Sequence, residues 1–454
     1  MDLTQILPAL SGTVFTLVFF VIALSVIVAI HEYGHYIVGR WSGIHAEVFS
    51  IGFGPVLASK VDKHGTKWQI AAYPFGGYVK FLGDANAASV GGDDEALEAV
   101  AQSRFTARNT MMGAPLWART ATVAAGPIFN FILAILIFAG YLMYQGTPVE
   151  PLTFDKMRDV PAGKESLFAT DLQQGDQILT IGGFPVAGTQ DRDSAISRLE
   201  PAPRIDYGIN RDGREMTVEG PFPILPMVAS IQPRSAADDA GLRVGDLITA
   251  VNGNQIVSFA ELVAAKDAAG DDAMVLTVQR GEDELIKEVA PRRVDIPNAD
   301  GNFDTVYLIG VTGELFFDHA TEPVGVFTAL SEGTQQLWWR ITTSLSGLWH
   351  IFSGAISTCN LSGPVGIAQA SGSMASQGAG SFVLFIGMLS AAVGLLNLFP
   401  IPILDGGHLV FYAYEAVTRR KPSDAALKFL MAGGLAVIGT LMIFALLNDL
   451  VLCP

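Results

Sequence analysis

The stretch LTQILPALSGTVFTLVFFVIALSVIVAIHEYGHYIVGRW, Leu3 to Trp41, carries no charged side chain as far as Ile30 and then sets His31, Glu32, Tyr33, Gly34 and His35 at its end. A helix crosses a hydrocarbon core of about 30 Å with roughly 20 residues, so the run is long enough to span a bilayer. On a helix positions i and i+4 share a face, and both imidazoles of this HExxH reach one metal ion. Glu32 sits about 100° further round, close enough to act on a metal-bound water without being a ligand. Ionisable groups at membrane depth cost about 2.5–3.5 kcal/mol each and mark function by default. The HExxH is therefore the strongest chemical signal in the chain.

Working outward, three more uncharged apolar runs follow, Thr120–Tyr144, Ser381–Leu404 and Phe429–Leu447. The 454 residues are 50% hydrophobic and 16% charged, with a mean hydropathy of +0.39, more apolar than soluble chains usually are. Four spanning helices are expected. The first run lacks a basic leader and a small-residue cleavage site, so it reads as an uncleaved span. A net charge of −16 excludes a nucleic-acid partner, which needs a clustered basic surface. Cys359 and Cys453 lie far apart and outside any CxxC spacing. They read as isolated thiols, with neither a disulfide framework nor a cysteine-ligated metal.

Between the second and third runs the chain is mostly polar and repeats itself. Leu172–Val186 reads LQQGDQILTIGGFPV and Leu242–Val257 reads LRVGDLITAVNGNQIV, with Gly175 and Gly245 at equivalent points. In each copy a Gly-Asp turn leads to a short alternating strand and a second turn, and AADDAGL ahead of the second copy predicts a short helix. These residues resemble PDZ domains, which take a peptide as an added strand on a sheet edge. A pair of small structural β domains without ligand is the other reading.

Basic residues set an orientation. Arg40, Lys60, Lys63, Lys67, Lys80, Arg104 and Arg108 lie between the first two runs, and Arg419, Arg420, Lys421 and Lys428 between the last two. The positive-inside rule places both loops in the cytoplasm and the tandem domains outside. Leu337–Thr358 predicts an interfacial amphipathic helix, with Trp338, Trp339 and Trp349 at the headgroup boundary and Arg340 and His350 on a wet face. A span there would carry Asp405 to the opposite side of the membrane.

Asp405 matters because a catalytic zinc site normally takes three protein ligands, and the HExxH supplies two. It ends the third run, after Asn397, Pro400 and Pro402. The prolines break regular helix, so the backbone there should line a cavity. Asn130, inside the second run, reads first as a helix-packing hydrogen bonder beside the small residues Ala124, Ala125 and Gly126, with support of the active site as the other reading. His408, three residues beyond Asp405, reads as a polar residue at a helix start, with a place near the site as the other reading.

HEYGH, the LDGG segment, AAGPIFNF at Ala124–Phe131 and the inserted PDZ-like pair together resemble the site-2 protease family of intramembrane zinc metalloproteases, in particular its bacterial regulator-of-sigma-E branch. The resemblance covers essentially the whole chain. It implies one zinc ion per chain on His31, His35 and Asp405, Glu32 as the catalytic glutamate, and Asn397 at the substrate or oxyanion. Ala392 departs from the family, several of whose members carry a second asparagine there. The resemblance also implies that the alternating stretch Val48–Phe81, which reads as β-hairpin strands, holds an unwound substrate by strand addition. Single-span membrane proteins such as an anti-sigma factor, and signal-peptide remnants, are the substrates it suggests, in a bacterial inner membrane with the site toward the cytoplasm.

The expected fold is thus a polytopic α-helical membrane protein with a membrane-associated β-hairpin region and two inserted α+β domains. Its segments are 1–146, 147–223, 224–313, a linker with the interfacial helix at 314–380, and 381–454. A catalytically idle adaptor built on the PDZ-like pair is the rival reading, and Glu32 separates the two, since an adaptor needs no base beside two histidines.

Overall fold

The computed structural model describes residues 12–83, 106–158, 165–186, 188–298 and 303–452. The start of the first apolar run, Arg104 and Cys453 lie outside the described residues. The chain separates into two units, Met1–Gly140 with Ala329–Pro454, and Tyr141–Thr328.

The first unit is built on α1 (Gly12–Trp41) and α2 (Leu116–Gln145), a hairpin of β1 (Ala46–Val61) and β2 (Lys67–Phe81), then α3 (Val326–Phe352), α4 (Pro364–Ser376), α5 (Ala379–Asn397), α6 (Asp405–Thr418) and α7 (Asp424–Leu447). Among the described residues four helices are long and apolar enough to cross a membrane: Gly12–Trp41, Leu116–Gln145, Ala379–Asn397 and Ala425–Leu452. This is a polytopic helical membrane fold. A helix that is apolar all round has to be covered by protein or lipid, and α1 is covered partly by α5, through Ala23 and Ile27 against Phe382 and Ile386. It approaches α2 at Gly34, where a Cβ would lie 2.5 Å from the Ala125 carbonyl oxygen.

The prolines act as expected. The third run leaves helix after Asn397 and re-enters it at Asp405. Gly406 and Gly407 let α6 start against its own approach loop, since a Cβ at either would sit 2.3 Å from the Leu398 or Ile401 carbonyl oxygen. Further along, the Glu415 carboxylate accepts both arms of the buried Arg119 guanidinium at 2.9 and 2.7 Å, tying α6 to α2.

Helix α3 is longer than the sequence suggested, beginning at Val326. Ala329, Gly333 and Leu337 form its buried stripe, while Trp338, Trp339 and Trp349 are exposed. Arg340 is not on a wet face: its guanidinium lies 5.5 Å over the Phe138 ring and 5.7 Å from that of Trp339. A long side chain on a helix reaches back over its own stem and covers neighbouring apolar surface, which residue type alone does not reveal.

The cysteine reading is also corrected. Cys359 is disulfide-bonded. Spacing along the chain measures contour, not folded distance, and the loop holding Cys359 is pinned to the far end of α7. There Asn448 Nδ2 donates to the Thr358 and Leu361 carbonyls at 2.9 and 3.0 Å. The Asp449 carboxylate accepts the Gly363 and Gly366 amides at 3.0 and 2.9 Å.

In the hairpin the first half of β1 is bordered on both edges by β2, so that Ser50 faces Tyr78 on one side and Gln69 on the other. The far half leaves Leu57, Val61, Ile70 and Tyr73 exposed, an apolar surface suited to lipid.

The second unit holds two four-stranded antiparallel sheets of matching order. One runs Phe184–Pro185, Gln177–Ile181, Ile205–Arg211, Arg214–Gly220, and the other Asn254–Gln255, Leu247–Val251, Met274–Arg280, Asp283–Val289. Each is packed by one helix, Thr189–Ser197 or Phe259–Ala269, and the predicted short helix is Ala236–Asp239. The copies close differently. Ser230–Ile231 pairs with Val311–Thr312 inside the second copy, whereas Phe154–Met157 of the first pairs with Phe317–His319, beyond the second. Phe316 and Phe317 complete the core around Phe168, Ile178 and Tyr207, so the second copy is nested inside the first. The closing strand Phe317–His319 falls within the 314–380 stretch read as a linker.

Candidate active site

The last turns of α1 point His31 and His35 the same way, with ring centroids 4.8 Å apart. Their Nε2 atoms are separated by 3.2 Å. Asp405, the first residue of α6, brings Oδ2 to 3.1 Å from His31 Nε2 and 3.5 Å from His35 Nε2. Among the described residues this is the one group of three His, Cys, Asp or Glu whose donor atoms could hold a metal ion.

The geometry fits a tetrahedral cation. Ligands at zinc distances of about 2.0–2.1 Å stand roughly 3.3 Å from one another, and the three separations bracket that value. Asp405 Oδ2 is buried and accepts no hydrogen bond, and no Lys or Arg among the described residues pairs with Asp405. A buried carboxylate oxygen without a donor is costly, and a cation removes the cost.

Helix α2 supplies the wall. The His35 Nδ1 atom lies 2.9 Å from the Thr122 carbonyl oxygen, which can only accept, so Nδ1 carries a proton and the neutral ring offers its lone pair at Nε2. Gly126 faces both rings, and a Cβ there would lie 2.3 Å from His35 Nε2 and 2.8 Å from His31 Cε1. The Asn130 side chain, fully buried, lies 3.2 Å from His31 Nδ1. Of the two readings of Asn130, this contact favours support of the site over packing alone. The signal was available in one form: a lone amide inside an otherwise apolar run must find a partner.

Glu32 stands apart from the three candidate donor atoms but within electrostatic reach of His31, His35 and Asp405 and of the Val79 amide of β2. Gly77 lets β2 pass this close, since a Cβ there would sit 3.1 Å from Glu32 Cγ. Asn397 ends α5, and its amide donates to the Val393 carbonyl of its own helix at 3.1 Å. Ala392 is exposed. His408, near the start of α6, feels the charges of Asp405 and His35 without joining the ligand group.

Comparison with known proteins decides the family, because the profile of peptidase family M50 matches residues 19–441. The chain belongs to peptidase family M50. Two relatives whose names class them provisionally as zinc metalloproteases, from Agrobacterium fabrum and Rhizobium meliloti, are 34% and 33% identical to this M50 peptidase. Each alignment covers 94% or more of both chains. The regulator of sigma-E protease RseP of Escherichia coli is 30% identical over 95% of this chain and 97% of its own. Among solved structures, the PDZ domain of an SdrC-like protein of Listeria monocytogenes aligns with 20% of the chain at 22% identity and a TM-score of 0.16, too short a likeness to carry weight.

Proposed function

We propose that this M50 peptidase hydrolyses peptide bonds in or beside membrane-spanning segments, using one zinc ion per chain held by His31, His35 and Asp405, with Glu32 as general base. The observation that carries the reading is the convergence of two Nε2 atoms and an orphaned carboxylate oxygen within 3.5 Å at the end of a spanning helix. Zinc bound there would lower the pKa of a water towards about 7 and polarise a scissile carbonyl.

The protein's own groups do the rest. Glu32 accepts the proton of the attacking water and returns it to the leaving amine. His35, fixed by Thr122, keeps one orientation throughout. A helical substrate hides its amides and must unwind first. The segment Gly77–Phe81 supports a clamp by strand addition, because it borders β1 along one edge as an outer strand of the hairpin and runs beside Glu32. Gly77→Pro should then reduce cleavage while zinc content stays normal, and unchanged turnover would defeat the clamp. Asn397 would reach the developing oxyanion once its amide leaves the Val393 carbonyl.

The basic loops support an inner-membrane orientation with the site toward the cytoplasm and the PDZ-like pair outside, where it would keep intact proteins from the site. The name of the Escherichia coli relative supports a single-span anti-sigma factor as one substrate, with signal-peptide remnants as a second class. The test is cleavage of a model single-span substrate by the full chain in lipid. The parent should cut and Glu32→Gln should not, with equal zinc in both. A Gln variant that cuts at the parental rate would overturn the proposal.

A further inference from the structure

We infer that Asn130 is a positioning residue for the metal: its side-chain oxygen, turned toward His31, holds that imidazole in the tautomer whose Nε2 is free to bind. The inference rests on the ligand set proposed above.

Both histidines offer Nε2 to the shared point, since those are the atoms that converge with Asp405 Oδ2. A neutral imidazole that binds through Nε2 must carry its proton on Nδ1, and that proton needs an acceptor. For His35 the acceptor is the Thr122 carbonyl. For His31 the group at hydrogen-bond distance from Nδ1 is the Asn130 amide, at 3.2 Å.

An amide presents either its oxygen or its nitrogen by a half-turn about its last torsion. With the nitrogen toward the ring, Nδ1 must accept. The His31 proton then sits on Nε2 and points into the metal position, while Asn130 Oδ1 is left buried with no hydrogen-bond partner. With the oxygen toward the ring, Nδ1–H donates and Nε2 faces the cation. Metal binding therefore selects the second arrangement.

The placement is built into the helix. Thr122, Gly126 and Asn130 recur at four-residue spacing on one face of α2. The first fixes His35, the second leaves room for both rings, and the third meets His31. Ser390 of α5 donates to the Asn130 backbone carbonyl at 2.9 Å, holding this turn without touching the amide.

The experiment is zinc affinity of the full chain, measured against a competing chelator, for the parent, Asn130→Leu, Asn130→Asp and Ser390→Ala. Asn130→Leu removes the acceptor and should weaken zinc by about 10–100-fold, the usual effect of losing an outer-shell partner. Asn130→Asp keeps an oxygen for Nδ1–H and should bind at least as tightly as the parent. Ser390→Ala should be unchanged. Parental affinity in Asn130→Leu overturns the inference, and so does a tenfold loss in Asn130→Asp, which decides the matter even where the leucine variant fails to fold. His31→Ala serves as the control. If it binds like the parent, or if the parent takes up no zinc, the ligand set itself falls and the inference with it.

Discussion

Among the described residues the buried aspartates Asp176, Asp246 and Asp449 are each satisfied by their own chain, Asp449 by the Gly363 and Gly366 amides, and Asp405 is held in the opposite way. In the tandem domains Asp176 and Asp246 have side chains 1% exposed, and each is closed by an arginine fork. Arg211 and Arg280 donate through Nε and Nη2 at 2.7 Å to their respective partners. A backbone amide, Gln173 or Arg243, adds a further bond at 2.7 or 2.8 Å. In the membrane unit Asp405 has a buried Oδ2 that accepts nothing, facing two imidazoles that themselves need a partner. A carboxylate buried for structure is satisfied by its own chain. One buried for function is left for something the chain does not supply.

The contrast breaks first at Asp405. Asp405→Asn keeps the shape and removes the charge. Zinc affinity should fall by well over the about 100-fold that an outer-shell partner is worth, while thermal unfolding of the tandem domains stays put. Zinc retained by Asp405→Asn would erase the distinction between Asp405 and the chain-satisfied aspartates.

The converse substitution should do the opposite. Asp246→Asn strips Arg280 of its countercharge, but that guanidinium is 25% exposed. The cost should be about 1–3 kcal/mol, below the full penalty for a wholly buried pair. It should appear as earlier melting of the domains in calorimetry with zinc content unchanged.

The smallest effect is on pH dependence. Burial pushes the Asp176 carboxyl up, but the Arg211 fork and the Gln173 amide more than offset it, so the group lies below its ordinary value. A carboxylate with a depressed folded pKa contributes stability that is fully present above its unfolded pKa of about 3.9 and is lost as pH falls through the folded value. Domain unfolding followed from pH 5 downward should show that loss. Arg211→Leu should move it to higher pH.

How much of this could be read from the residues follows the range of the interactions. The HExxH was legible because helical periodicity is local, and Asp405 because two prolines announce irregular backbone at membrane depth. The repeated LxxGDxI pattern exposed the tandem domains for the same reason. Thr122, Gly126 and Asn130 acquire their roles only when α2 lies against α1, so their sequence context reads chiefly as packing, with active-site support open for Asn130 alone. The closing strand Phe317–His319 crosses an entire inserted copy to reach Phe154–Met157, a pairing no local pattern carries. Cys359 belongs with these, since its loop meets the end of α7 only in the folded chain.

The most direct measurement is zinc X-ray absorption on the full-length parent alongside His35→Ala and Asp405→Ala. The account predicts one zinc per chain in the parent, with two imidazole nitrogens and one carboxylate oxygen at about 2.0–2.2 Å, and loss of that signature in both variants. An unaltered zinc environment in either variant would contradict it.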